Sequence, residues 1–381
     1  MDFTLTDEQQ ALRAAVADFA RKELNADLVE RDHEARFSRE AWQKCADLGL
    51  LGLPVSEAYG GSGSDILTTM LAFEGLGYGC ADNGLIFSLN AQLWAVETPL
   101  ERFGTEEQKH RYLPALCGGS MLGGHAMSEP GSGSDAFALA TTARETASGY
   151  VLTGSKTFVT NGPVADVFLV FATTNPKRGF AALCAFLVDR DTPGLSVGRN
   201  LSKMGLRTSP MSELFLDECE VPRGQLLGRP GAGMAIFDAS MRLERGCILA
   251  SCVGTMERQL ERSVAYVKER RQFGQPVGDF QAVSHRIVDM KLRLETSRLL
   301  LYHLAWQIDG GASPSLEAAL TKLHVAESFL SSSLDAVQIH GGYGYMTEYE
   351  LERDVRDAVA SRLYSGTSEI QRNIVARALG L

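Results

Sequence analysis

Residues 128–136 read Ser-Glu-Pro-Gly-Ser-Gly-Ser-Asp-Ala, and within them Gly131-x-Gly133-x-x-Ala136 has the spacing of a dinucleotide fingerprint. That fingerprint requires a buried strand just before the first glycine and a helix just after the last, inside a parallel βαβ unit. Here Met127-Ser128-Glu129-Pro130 precedes it, with a proline where the strand belongs. On its C-terminal side, TTARETASGYVLTGSKTFVTNG (141–162) is rich in β-branched residues broken by short turns. A doubly wound parallel sheet is therefore excluded. Two readings remain open on these residues alone: a polar surface turn, or a glycine loop whose backbone N–H groups receive phosphate on another fold.

Outward from this stretch the texture changes on both sides. Before it, Thr6-x-x-Gln9 is a capping-box signature, with Leu12, Val16 and Phe19 following on one face. SREAWQKCADLGLLGLP (38–54) fits a helix capped by Ser38 and stopped by Pro54. Further apolar helical segments surround residues 70–77 and 85–94. After it, ADVFLVFATT (165–174), AALCAFLVDRDTPGLSVG (181–198) and SELFLDECEVP (212–222) read as antiparallel strands, ended by GRPGAGM (228–234). From about Ala235 strand signals disappear. Leu249, Val253, Met256, Leu260, Val264 and Val267 then recur at helical steps. The order is therefore helices, then antiparallel strands, then helices, which argues three segregated layers and not alternating βαβ units.

Length and composition bound the function. A chain of 381 residues with 45% hydrophobic and 22% charged residues is a globular protein of two or three packed units. A net charge of -10 leaves no footprint for nucleic acid. The N-terminus lacks the basic and apolar regions of a signal peptide, and no apolar run suggests a membrane span. Seven scattered cysteines without C-x-x-C spacing point to reduced thiols in the cytoplasm, and no His/Cys pattern suggests a metal.

Four more motifs come after the glycine loop in order: GSKTFVTNG (154–162), ERRQFGQPVGDFQAV (269–283), DAVQIHGGYGYMTEYELERDVRDA (335–358) and LYSGTSEIQRNIVAR (363–377). The set resembles the acyl-CoA dehydrogenase family of flavoproteins over nearly the whole chain. The resemblance implies an α+β fold that matches this layer order, with an N-terminal α-helical domain at 1–119, a middle antiparallel β-barrel domain at 120–233 and a C-terminal four-helix bundle at 234–381. It also implies FAD as cofactor and a homotetramer in which a neighbouring subunit supplies part of each FAD site. It places His125, Met127, Ser128, Gly133 and Ser134 along the flavin and thioester. Phe158, Val159 and Thr160 would lie on the isoalloxazine, with Phe158 where the family often has Trp. Arg270 and Phe273 would reach a neighbour's FAD pyrophosphate, with Gln281, Gln338, Gly341, Gly342, Thr367 and Glu369 completing the cofactor contacts. Ser134, Arg245, Tyr364 and Gly366 would face the substrate.

The implied chemistry is α,β-dehydrogenation of an acyl thioester, with proton removal at Cα and hydride transfer to flavin N5. Enolate stabilisation would come from preorganised donors, among them the Ser365 backbone N–H. Most members carry a glutamate base in a Y-E-G-T pattern where this chain has Tyr364-Ser365-Gly366-Thr367. A serine hydroxyl alone is too weak a base. Resemblance to isovaleryl-type and prolyl-carrier-type members places the base at Glu244 in MRLERGCILASC (241–252), at the opening of a long helix, sharing a face with Met241, Ile248 and Cys252. On pattern alone, a glutamate favoured by the macrodipole or paired with Arg242 or Arg245 is an equal alternative. Ser365 is expected to keep only its backbone role, so Ser365→Ala is expected to be mild. The substrate is a short or branched acyl group, or an aminoacyl group, on CoA or on an acyl or peptidyl carrier protein. The acceptor is an electron-transfer flavoprotein or O2. The alternatives are an oxidase or monooxygenase on the same fold, or an inactive flavin-binding relative lacking a carboxylate near the thioester.

Overall fold

Capping side chains define the helical first third. In the computed structural model, which describes residues 4–381, Thr6 and Gln9 exchange both bonds of the capping box at the start of helix Asp7–Glu23. Ser38 accepts from Ala41 N–H at 3.1 Å to open Arg39–Asp47. Ile66–Gly79 and Asn83–Gln92 come next, the latter running into one π-helical turn at Leu93–Glu97. Ile66–Gly79 is buried on nearly every side, because the C-terminal helix Ala250–Glu269 crosses it. The crossing is made by two glycines. A Cβ on Gly77 would lie 1.9 Å from Ser251 O, and one on Gly254 would lie 1.9 Å from Glu74 O. The N- and C-terminal helices thus share a single core, in which Phe73, Leu76 and Trp94 pack with Val253, Met256 and Leu301.

The middle of the chain is an eight-stranded sheet. Its pairing order is Leu195–Val197, Met211–Pro222, Gly149–Thr160, Thr142–Glu145, Val167–Thr173, Leu183–Asp189 and Leu226–Leu227, with Gly123–Ala126 added beside Val167–Thr173. Antiparallel pairing dominates, but Gly123–Ala126 runs parallel to Val167–Thr173, and Thr142 pairs parallel to Thr173. The uniformly antiparallel expectation needs that correction, and the physical reason lies in the burial. Val167, Leu169 and Phe171 face the N-terminal helices, while Phe168, Val170 and Ala172 face the strands across the sheet's own core. A strand buried on both faces tolerates a parallel neighbour and reads as a continuous apolar run.

Beyond the sheet come helices Gly233–Cys247, Ala250–Glu269, Gln281–Asp309, Ser315–His340, Leu351–Ser361 and Ser368–Ala378. Strands do not vanish entirely there. Arg271–Gln272 and Gln275–Pro276 form a small hairpin between two helices, closed by Phe273 and Gly274 in left-handed conformation. Asp357 ties the three parts together, accepting from Leu206 N–H and from Asn83 Nδ2 at 2.6 and 3.1 Å.

Candidate active site

Helix Gly233–Cys247 stops one turn after Glu244, and a new helix begins at Ala250. Glu244 therefore sits in a last turn, not at the opening of a long helix. There the macrodipole opposes its charge, so the dipole-favoured alternative fails. The arginine pairing fails too. Arg242 pairs with Asp238 at 2.5 Å, and Arg245 makes no ion pair among the described residues and keeps a buried, unpartnered Nε.

Glu244 is 8% exposed, and Met241, Ile248 and Cys252, expected on its face, are buried as well. Ser365 Oγ donates to its Oε1 at 2.6 Å, while Oε2 is buried with no partner. Burial pushes the carboxyl up to about 7, against the Ser365 hydrogen bond and the charges of Arg245 and Lys322. The arrangement holds one oxygen and leaves the other free to accept a proton near neutral pH. The expectation that Ser365 acts through its backbone alone is corrected by this contact. A buried carboxylate does stand beside Ser365, the position where the inactive-relative alternative expects none near the thioester.

Ser365 and Gly366 both have left-handed backbones, with φ of 53° and 87°. Gln371 Nε2 locks that turn by donating to Ser365 O at 3.2 Å and Gly366 O at 2.8 Å. A Cβ on Gly366 would meet Gln371 Nε2 at 2.7 Å. Thr367 then caps the last helix, accepting from Ile370 N–H at 3.3 Å, and Glu369 lies exposed in its first turn. Ser365 N–H makes no hydrogen bond among the described residues. Tyr364 packs its ring 4.7 Å from that of Phe87, with Lys322 Nζ 5.8 Å from its centroid. Lys322 is itself buried, donates to Ser361 O at 2.8 Å, and is pulled down to about 8 by burial.

The glycine loop is anchored by a buried ion pair that sequence reasoning missed. Lys156 Nζ donates to Glu129 Oε1 at 2.6 Å and to Met127 O at 3.2 Å. The Glu129 carboxylate in turn accepts from the N–H groups of Ala140 and Thr141, at 2.6 and 3.1 Å. The loop is pinned at both ends, and its tip, Gly131, Gly133 and Ser134, stands exposed. A lysine in mid-strand opposite a glutamate 27 residues earlier was the available signal. Thr157 N–H bonds Ser128 O at 2.9 Å, setting this loop beside a bulge where Gly149–Thr160 slips register against Met211–Pro222. Phe158 sits on that bulge with φ 56° and is 66% exposed. Backbone strain that presents an aromatic ring to solvent is a mark of a working surface.

Not every expected contact has its side chain available. Val159 and Met127 are turned into the cores, so only their backbones face the loop side, and Met127 O is already bonded by Lys156. His125 lies between Phe171 and Phe237, at 5.3 and 6.1 Å, with Nε2 unpartnered. Burial, aided by the Lys156 charge, pulls His125 down to about 4, so it is neutral at physiological pH. Phe237 belongs to the helix that carries Glu244, and this aromatic cluster connects the loop to that helix.

Arg270, Phe273, Gln281, Gln338, Gly341 and Gly342 form a separate exposed group. Arg270 lies over the Tyr343 ring at 5.5 Å, Phe273 is 94% exposed, and Gly341 has φ 60°. Among the described residues no hydrogen bond, ion pair or ring contact joins this group to Glu244, Ser365 or the glycine loop.

Comparison with known proteins fits this geometry. The acyl-CoA dehydrogenase N-terminal, middle and C-terminal domain models match residues 6–120, 124–219 and 231–380. The chain belongs to the acyl-CoA dehydrogenase family. Within it, an L-prolyl-[peptidyl-carrier protein] dehydrogenase from Pseudomonas fluorescens is 42% identical, covering 100% of both chains. The crystal structure of the prolyl acyl carrier protein oxidase AnaB superposes with a TM-score of 0.98 at 50% identity, covering 99% of this chain and 100% of its own. PigA with FAD and proline superposes with a TM-score of 0.98 at 43% identity, covering 100% of both chains. The three-domain fold and the enzyme class expected from the motifs are those of this family.

Proposed function

We propose that the protein is an FAD-dependent dehydrogenase of a compact acyl or aminoacyl group, a prolyl group foremost, held as a thioester on a carrier protein. The observation that carries this reading is the buried Glu244 carboxylate, with one oxygen held by Ser365 and the other unpartnered. The similarity to carrier-acting relatives across the full length favours a carrier-bound thioester over a CoA thioester.

The residues fit FAD. A Cβ at Gly131, Gly133, Gly341 or Gly342 would meet no atom within 4 Å, leaving backbone open for close approach of a ligand. Phe158 offers a flat apolar wall, and Thr160 stands two residues on in the same strand. Arg270, without an acidic partner among the described residues, keeps a fork of donors for phosphate oxygens. When bound, FAD supplies the hydride acceptor. Glu244 removes the α proton through Oε2, and Ser365 Oγ keeps the carboxylate turned towards the substrate. The free Ser365 N–H donates to the thioester oxygen as negative charge develops there. Tyr364, next to Ser365 and packed on Phe87, offers an aromatic wall that suits a compact apolar group.

A homotetramer completes the reading. Val288, Leu292, Leu299 and Trp306 lie exposed along one stripe of Gln281–Asp309, opposite the buried Met290, Leu294 and Leu301. An apolar stripe of that length on a second face of a helix calls for another subunit. Electrons pass to an electron-transfer flavoprotein. The likeness to an oxidase favours O2 as a second reading, and peroxide formed without an added acceptor would establish it. The test of substrate is a panel of prolyl and short acyl groups on carrier protein and on CoA, mixed anaerobically with the holoenzyme. Flavin bleaching with the carrier-bound group and little with CoA supports the reading, and the reverse order overturns it.

A further inference from the structure

We propose that the exposed edge carrying Lys177, Arg178, Phe180 and Arg229 is the docking surface for the carrier protein, an inference that rests on the carrier-bound substrate proposed above. The connection Pro176–Ala182 links two strands that are buried almost throughout, yet residues 174–181 are all exposed. It is nevertheless held in shape. Thr174 N–H bonds Ala182 O at 2.9 Å, and Asn175 Oδ1 accepts from Lys177 N–H at 3.0 Å. Gly179 takes φ 55° and turns Phe180 outward to 59% exposure.

The place of this edge ties it to the reaction. Gly231 N–H donates to Cys184 Sγ at 3.3 Å, and a Cβ on Gly231 would come within 2.8 Å of Ala181 O. The connection thus abuts the start of helix Gly233–Cys247, with the exposed Arg229 two residues upstream of the contact. From Gly233 to Glu244 the helix advances about 16 Å at 1.5 Å per residue. Met234, Asp238, Arg242 and Arg245 recur along one face of it, each reached by solvent. Glu244 lies about 115° round the helix from this face, on its buried side. A flexible thioester arm entering at Phe180 would therefore follow the face and turn inward beside Arg245 to reach the carboxylate.

Charge selects the occupant. The chain carries -10 overall, which repels an acidic partner. At this edge, though, no carboxylate among the described residues lies within ion-pair distance of Lys177, Arg178 or Arg229. A carrier protein presents its arm through a phosphodiester, so negative charge always stands at the mouth. An exposed aromatic ring amid arginine and lysine is the composition of a binding hot spot. Free CoA would use the charges but has no surface to cover Phe180.

The test uses the holoenzyme with Lys177→Glu/Arg178→Glu and, separately, Phe180→Ala. One acyl group is offered on the carrier protein, on CoA and on free pantetheine. We expect KM for the carrier thioester to rise about tenfold or more in each variant, kcat to hold, and the salt dependence to flatten in the charge variant. Turnover of the pantetheine thioester is expected to stay unchanged. Undiminished carrier turnover in the variants overturns the surface alone. So does an equal loss on pantetheine, an equal KM rise on CoA, or a fall in oligomeric mass, which would assign the edge to a second copy. Wild-type enzyme that reacts with acyl-CoA but never with the carrier thioester overturns the carrier reading, and this surface with it.

Discussion

Glu244 is pulled in two directions, and the balance sets its chemistry. Burial and its place in a helix's last turn disfavour the carboxylate, while the Ser365 hydrogen bond and the Arg245 and Lys322 charges favour it, leaving the group at about 7. The base must be ionised to act, so kcat/KM should rise with pH through about 7 and be lost as pH falls below it. Ser365→Ala removes a bond that favours the charged form and should move that rising limb up by about one pH unit. A purely structural role would lower the rate at every pH without moving the limb, so the pH profile distinguishes the two. The pattern around Glu244, a carboxylate on an apolar stripe, left it level with a paired or dipole-favoured glutamate. Only the family resemblance, with serine at the usual base position, singled it out. The Ser365 hydroxyl contact was not legible in the sequence, because its partner lies 121 residues away and only the fold brings them together.

At the scale of elements, a buried ion pair anchors the glycine loop, with Lys156 on Glu129 and Glu129 on the backbone of Ala140 and Thr141. Lys156→Met would leave the Glu129 carboxylate buried without its cation, which costs about 3–5 kcal/mol. The expected outcome is a lower melting temperature with weakened flavin retention, read by thermal unfolding and by FAD released on gel filtration. An unchanged melting temperature would mean the loop is held by its backbone bonds alone. The loop's failure as a Rossmann fingerprint could be read from Pro130 and the strands after it. The parallel pairing of Gly123–Ala126 with Val167–Thr173 could not, since four residues of Gly-Gly-His-Ala carry no strand pattern. The break between Cys247 and Ala250 was equally hidden. Residues on both sides of it are apolar, and the helical period continues across it.

At the scale of the whole molecule, the order helices, sheet, helices was plain from texture, and the motifs named the family. The shared core of N- and C-terminal helices was not plain, because it depends on the reciprocal approach at Gly77 and Gly254, 177 positions apart by their numbers. The exposed group around Arg270 is expected to serve a neighbouring subunit's cofactor. Arg270→Ala should loosen FAD by about tenfold or more through loss of a charge-assisted fork, while the oligomer persists. Unchanged flavin affinity would remove Arg270 from the site. Light scattering should give four chains per particle, and a monomer with full FAD occupancy would contradict the placement of the Val288–Trp306 stripe at an interface.

The central claim is that Glu244 removes the α proton, and anaerobic single-turnover mixing of Glu244→Gln holoenzyme with the carrier-bound prolyl thioester tests it directly. The isosteric amide keeps the shape of the site and cannot accept a proton at neutral pH. The account predicts full FAD content, retained thioester binding and no flavin bleaching, beside complete bleaching in the wild type. Bleaching of Glu244→Gln at a rate near that of the wild type would place the base elsewhere and contradict the account.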